Sequence, residues 1–273
     1  MTQQVLDPPK TVPPSSQWTW PIRSLAAIVG TVVLACGVLS AIGVFMLRTD
    51  TQTRFFAAPV HEVRVTATDG NIRIRTGANQ RGATVISTSH SSFRTGEHTE
   101  ALTGDVLKVD GICRGGLLVA DACAVDLEIT VGPGTKVIAS TSTGDISVRG
   151  TSGPVTATSS TGDLLVSQAG GSVELTTSIG DITGESLNSA QVRSKSNTGD
   201  IRLSFIRTPQ RIEANTSIGD VRIRVPDGTT TYRVRADTDL GSRHIDVPTD
   251  PAASRTVDLS TNTGDVRMEL LSQ

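Results

Sequence analysis

A Gly-Asp pair followed by alternating apolar residues recurs through the second half of the chain, and this repeat limits the folds open to it. It stands in "TSTGDISVRG" (141–150), "SSTGDLLVSQ", "TTSIGDITGES", "SNTGDIRLSF", "NTSIGDVRIRV" and "NTGDVRMELL". Its glycines are Gly144, Gly162, Gly180, Gly199, Gly219 and Gly264, with steps of 18, 18, 19 and 20 residues between the first five. A weaker copy, "ADTDLGSRHIDV", precedes the last, and "TATDGNIRIR" (66–75) is an early relative. Internal repetition at such a period belongs to stacked, quasi-one-dimensional folds.

Each copy splits into two halves of about nine residues, each with one short run of alternating apolar residues. Ile146/Val148, Val155/Ala157, Val173/Leu175, Ile201/Leu203, Ile212/Ala214, Val221/Ile223 and Val266/Met268 are such pairs. Alternation buries one face of a strand. Two short strands and two turns per copy predict one rung of a β-solenoid, stacked on its neighbours at about 4.8 Å. Aromatic residues make up 3% of the chain, and both tryptophans, Trp18 and Trp20, precede the repeat. A narrow aliphatic core fits that composition. The expected fold is therefore all-β, a solenoid with rungs of 18–20 residues, preceded by one transmembrane α-helix.

That helix is expected over 23–47, where Leu25 to Leu47 form an apolar run of 23 residues without a charge. At about 1.5 Å per residue the run is long enough to cross a hydrocarbon core of about 30 Å. Trp18 and Trp20 would sit in the headgroup layer before it. Residues 1–22 form a short Pro-rich tail expected in the cytoplasm, 48–60 a linker, and 61–273 an extracytoplasmic solenoid. Within it, 61–140 is the irregular, capping part and 141–273 the regular repeats. Arginine and lysine flank the apolar run on both sides, so orientation rests on cysteine. Cys113 and Cys123 bracket "RGGLLVADA" and are placed to close a short disulfide loop, a bond of oxidising compartments. Two unpaired buried thiols are the alternative.

At this point the sequence resembles the bacterial putative-adhesin family, membrane-anchored β-solenoid domains of largely unknown function. The resemblance rests on the TGDI and TGDV rungs and on "VDLEITVGPGTKVIASTSTGDI" (125–146). It implies the solenoid fold and a cell-envelope setting, and it brings no catalytic residue with it.

Three readings compete for Asp145, Asp163, Asp181, Asp200, Asp220 and Asp265. In the structural reading the glycine supplies a positive φ for a tight turn, and the aspartate bonds its own turn backbone. Ser and Thr before the glycine would form a polar ladder between rungs. In the second reading the stacked carboxylates hold Ca²⁺. Against it, the calcium nonapeptide carries several glycines per loop, whereas here a single Gly precedes Asp and alternate halves lack the Asp. Arg202, Arg222 and Arg267, two residues past their Asp, would also relieve the repulsion. In the third reading a β-helix enzyme cuts polysaccharide with paired carboxylates. Such a site departs from the repeat, and His61, His90, His98 and His244 show no triad or metal spacing. The structural reading is favoured.

Formal net charge is −2, so no basic stripe calls for nucleic acid, and no cofactor motif is present. The expected function is a non-enzymatic, membrane-anchored scaffold or adhesin-like binding module in the cell membrane, meeting an envelope protein or the cell wall. The alternative is an accessory or sensory subunit signalling through its span, where Ala26/Gly30 and Gly37/Ala41 give small-xxx-small spacings. A polysaccharide-acting enzyme is the remote alternative.

Overall fold

The structure, a computed structural model, describes residues 28–34, 37, 48–78, 80–91, 95–114 and 123–271. It divides into two units, Met1–Met46 and Leu47–Gln273. In the first, residues 28–34 and 37 are helical, and Ile28, Val29, Val32, Val33 and Leu34 are each more than half exposed. Among the described residues no helix is long and apolar enough to cross a membrane. The tail at 1–22 and most of the expected span at 23–47 lie outside the described residues.

The second unit is built of strands. Its irregular part holds β1 (Arg48–Phe56), β2 (Glu62–Asp69), β3 (Ile72–Thr76), β4 (Ala83–Ser91), β5 (Thr95–Thr103), β6 (Val106–Arg114) and β7 (Cys123–Val131). Paired strands follow: β8 (Lys136–Thr143) with β9 (Ile146–Arg149), β10 (Val155–Thr161) with β11 (Leu164–Ser167), and β12 (Val173–Ile179) with β13 (Ile182–Leu187). Then come β14 (Gln191–Thr198) with β15 (Ile201–Phe205) and β16 (Arg211–Asn215) with β17 (Val221–Val225). The last are β18 (Arg233–Leu240) with β19 (Arg243–Asp246), and β20 (Thr256–Thr263) with β21 (Val266–Leu270).

One strand of each pair joins one sheet and its mate the other, so the Gly-Asp turn within each regular rung carries the chain between sheets. Gly104-Asp105 instead joins β5 and β6 inside the ten-stranded sheet. The eleven-stranded sheet runs β1-β4-β7-β3-β9-β11-β13-β15-β17-β21-β19, and the ten-stranded sheet runs β18-β20-β16-β14-β12-β10-β8-β2-β6-β5. From β2 and β3 onward the rungs pair in parallel, while β1, β4 and β5 pair antiparallel. The alternating apolar residues meet between the sheets. Val173, Leu175, Ile182 and Leu187 of one rung, for example, are all buried. Each such side chain contributes about 1.5–3 kcal/mol through the water it escapes.

Two features depart from expectation. Residues 48–60, expected as a linker, contain β1, which pairs with β4 along its whole length from Arg48↔Ser91 to Phe56↔Ala83. Thr49, Thr51 and Thr53 are β-branched and suit an exposed edge strand, and Phe56 tucks its ring against the core. Stacking order also breaks from chain order at both ends. The β2–β3 rung lies between β6–β7 and β8–β9, and the β20–β21 rung lies between β16–β17 and β18–β19. The weak copy is therefore the terminal rung in space.

Candidate functional site

The repeated carboxylates come together as a single line along one edge of the stack, where the chain turns between sheets. Each inner oxygen accepts a hydrogen bond from the backbone of the following rung. Asp163 N–H donates to Asp145 Oδ1 at 2.9 Å, and Asp181 N–H to Asp163 Oδ1 at 2.8 Å. Asp200 to Asp181, Asp220 to Asp200 and Asp265 to Asp220 repeat the contact at 2.8 Å. The sequence led us to expect each aspartate on its own turn. It serves the next rung instead, because stacking leaves that N–H without a strand partner and brings it within reach.

The line has two ends. It begins where Asn71 N–H donates to Asp126 Oδ1 at 2.7 Å and Asp145 N–H donates to Asn71 Oδ1 at 3.0 Å. It finishes where Ser242 N–H donates to Asp265 Oδ1 at 2.8 Å. Ser242 holds the aspartate position in the terminal rung, where no further rung needs a carboxylate.

A second ladder runs beside the first. The hydroxyl three residues before each glycine donates to the glycine carbonyl of the neighbouring rung. Ser159 reaches Gly144 O at 3.1 Å, Thr177 reaches Gly162 O at 3.1 Å, and Thr216 reaches Gly199 O at 3.0 Å. These hydroxyls are buried, so the bond removes a desolvation penalty as well as ordering the turn. The signal was visible as Ser or Thr at a fixed offset in every copy. Gly180 shows why the glycine is required. Its φ is +146°, and a Cβ there would stand 2.1 Å from the carbonyl oxygen of Gly162.

Of the arginines two residues past an aspartate, Arg202 alone is tied to the line. Its Nη1 lies 3.1 Å from Asp181 Oδ2, and its Nη2 pairs with Asp200. Arg222 and Arg267 form no ion pair among the described residues. They stand in register with Arg202 across β15, β17 and β21, with His244 of β19 next in line. The outer face of the eleven-stranded sheet thus carries a column of three arginine side chains, Arg202, Arg222 and Arg267, at strand spacing. Beside it, the Arg224 hydrogen bond, 2.7 Å to Glu269, holds the Glu269 carboxyl below its ordinary pKa, and Arg222 and Arg267 add to the effect. On the other sheet, hydrogen bonds from Arg64 and then Lys136 lower the pKa of Glu62 in the same way.

Cys113 and Cys123 are joined as a disulfide between β6 and β7. His61 stands 3.4 Å from Asp105 and His90 3.7 Å from Asp126, at separate places on the surface. Among the described residues, no group of three or more His, Cys, Asp or Glu side chains stands close enough to hold a metal ion.

A family model described as Toastrack DUF4097 matches residues 126–269. A comparison with curated proteins returns no match. Among solved structures, the chain is similar to a putative adhesin from Bacteroides fragilis, at 13% identity and a TM-score of 0.48, with 81% of this chain and 97% of that one covered. A putative adhesin from Parabacteroides distasonis is similar at 11% identity and a TM-score of 0.38, covering 81% of this chain and 97% of that one. A protein described as a putative lipid binding protein, also from Parabacteroides distasonis, is similar at 10% identity and a TM-score of 0.31, covering 82% and 97%.

Proposed function

The chain belongs to the Toastrack DUF4097 family, and from that premise we propose that it is a non-enzymatic, membrane-anchored binding module or scaffold of the bacterial cell envelope. The observation that carries this reading is the fate of the repeated carboxylates. Their inner oxygens are taken up by backbone N–H groups of the next rung, which makes the row an element of architecture. What remains for a partner is the pair of flat outer faces. The column of Arg202, Arg222 and Arg267 offers regularly spaced positive charge to an acidic envelope protein or wall polymer. The uncharged run from Leu25 to Leu47 supports the membrane anchor, and the Cys113–Cys123 bond supports an oxidising compartment for the β unit.

The test is photo-crosslinking in intact cells from a reactive residue placed at Arg222, with one at Glu174 on the opposite sheet as the comparison. Adducts from position 222 that are lost at high salt support the reading. Equal adducts from both positions count against the cationic column. Protease added to intact cells should digest the β unit, and its survival would remove the envelope setting. Cleavage of a wall polysaccharide by the purified chain would overturn the non-enzymatic assignment.

A further inference from the structure

The terminal rung in space, β18 with β19, leaves both sheets unfinished at one end. Pairing with β20 consumes the backbone groups of alternate β18 residues, as where Arg233 N–H donates to Arg255 O at 2.9 Å. Val234 and Ala236 therefore turn their N–H and C=O groups to the outward edge. That edge is open beyond Tyr232, where Tyr232 N–H donates to Pro248 O and Asp250 N–H donates to Tyr232 O, each at 3.0 Å. In β19 the N–H of Val266 donates to Ser242 O at 2.9 Å, which leaves Arg243 and Ile245 facing outward along the stack. Between the two edges lies a cavity lined by Val234, Ala236, Ile245 and Val247 together with Arg243 and Asp250, while Tyr232 beside it is buried. The unpaired stretches of the two edges, over this partly covered end, invite a further strand pair.

A further parallel rung is not what the chain prepares for. Every internal turn presents an acceptor to the next one, Asn71 or an aspartate, and the terminal turn presents Ser242 instead. We infer that this end is closed by a second copy of the chain, docked head to head so that β18 pairs antiparallel with β18 and β19 with β19.

Charge fixes the register. The outward residues of β18 read Arg233, Arg235, Asp237 and Asp239. Hydrogen-bonded antiparallel pairs form between residues whose backbone groups face the edge, so Ala236 or Val234 must lie opposite an even-numbered partner. Ala236 opposite Ala236 brings Arg235, which now bonds Asp237 of its own strand at 2.9 Å, against Asp237 of the second copy. A slip of two residues either way sets Arg235 against Arg235 or Asp237 against Asp237, and like charges directly opposite are unfavourable.

The same two-fold axis serves β19. Counting inward positions from the Gly241 turn, Ala236 and Ile245 both come second. Ile245 opposite Ile245 places His244 against Asp246 of the second copy. Val234, Ala236, Ile245 and Val247 of the two copies then close each other's cores. Arg243 Nη1 now holds the Ala236 carbonyl at 3.0 Å. Docking exchanges that side-chain bond for the reciprocal backbone pair at Ala236.

Sedimentation velocity on the full chain in detergent should show a dimer. Arg235→Asp, which sets Asp against Asp at both symmetry-related places, should weaken it by about tenfold or more, and adding Asp237→Arg should restore it. The rescue separates lost pairing from lost folding. In a Cys36→Ser background, Arg235→Cys and Asp237→Cys chains should form a mixed disulfide dimer when combined, since non-hydrogen-bonded pairs bring Cα atoms to about 4.5 Å. A chain that stays monomeric would overturn the inference. So would a dimer indifferent to Arg235→Asp, failure of the double variant to restore it, or cysteine pairing that favours 235 with 235.

Discussion

Replacing Gly180 by alanine tests the claim that close approach of rungs, and not turn formation alone, demands glycine in the Gly-Asp pairs of the stacked rungs. Two costs can be separated. At φ +146° an L-residue occupies a region reserved for glycine, which costs about 1–3 kcal/mol. The new Cβ would also stand 2.1 Å from Gly162 O and 2.6 Å from Gly162 C, both backbone atoms that cannot swing aside. Relief requires the rungs to part by about 1 Å, which breaks hydrogen bonds of normal length. The Asp181 N–H bond to Asp163 Oδ1, at 2.8 Å, and the Thr177 bond to Gly162 O, at 3.1 Å, both cross that gap. Losing a charge-assisted and a neutral bond adds about 2–4 kcal/mol, for a total of about 3–7 kcal/mol.

Gly228 provides the internal comparison. Its φ is +155°, yet a Cβ there meets nothing within 4 Å, so Gly228→Ala carries the backbone cost alone. Gly134 has open space and no positive φ, and its alanine variant should be nearly neutral. Circular-dichroism melting of the full chain should fall by roughly 10–20 °C for Gly180→Ala and roughly 3–10 °C for Gly228→Ala. Equal losses for Gly180→Ala and Gly228→Ala would refute the close-approach explanation and leave only turn geometry.

Three further outcomes follow from the ladder and its surroundings. Asp200→Ala strips Asp220 N–H of its acceptor and should cost about 1–3 kcal/mol, whereas Asp200→Asn should cost much less because Asn71 already fills such a place; equal losses in thermal melts would contradict the ladder's role. The Cys113–Cys123 bond closes a separation of 10 residues, so the double serine variant should lose up to about 3 kcal/mol, and an unchanged melting temperature would refute that contribution. Glu62 and Glu269 have folded pKa values lowered from 4.5, so their contribution is complete above that value and is lost as pH falls through the lowered values. The Glu62→Gln/Glu269→Gln variant should therefore show a shallower acid loss of melting temperature than the parent chain below about pH 4.5, and parallel curves would be evidence against those pairs.

Strands and turns of the repeats were legible because each rests on local chemistry. Period-two alternation names the buried face, and Gly-Asp names the turn, so Ile146/Val148 or Val221/Ile223 could be placed before any fold was known. Stacking order was not legible. Every rung offers its neighbours much the same backbone edge and aliphatic inner face, so nothing local tells β20–β21 to slide between β16–β17 and β18–β19. The role of β1 was hidden for a related reason. "RTDTQTRFF" reads as a polar tether until the free edge of β4 is there to pair with it. For the aspartates, the sequence pointed to turn chemistry but not to its direction, because the donor lies in the following rung, 18 to 45 residues away in the chain.

The irregular copies carry the information that the regular ones cannot. A repeat that satisfies its neighbour on both sides can be extended without limit, so the chain needs a rung that ends the series. "DTDLGSRHID" does so by exchanging Asp for Ser242, since a carboxylate there would face no N–H of a following rung. The same rung keeps Thr238 on the Gly264 carbonyl, at 2.9 Å, and so remains bound to the stack it terminates. Its outward face carries Arg233, Arg235, Asp237 and Asp239 in that order, charges that reject slipped registers along the exposed edge. A weak match to the repeat is therefore a sign of position. Internal rungs are alike because each meets another rung, and the end rung differs because it must meet something else.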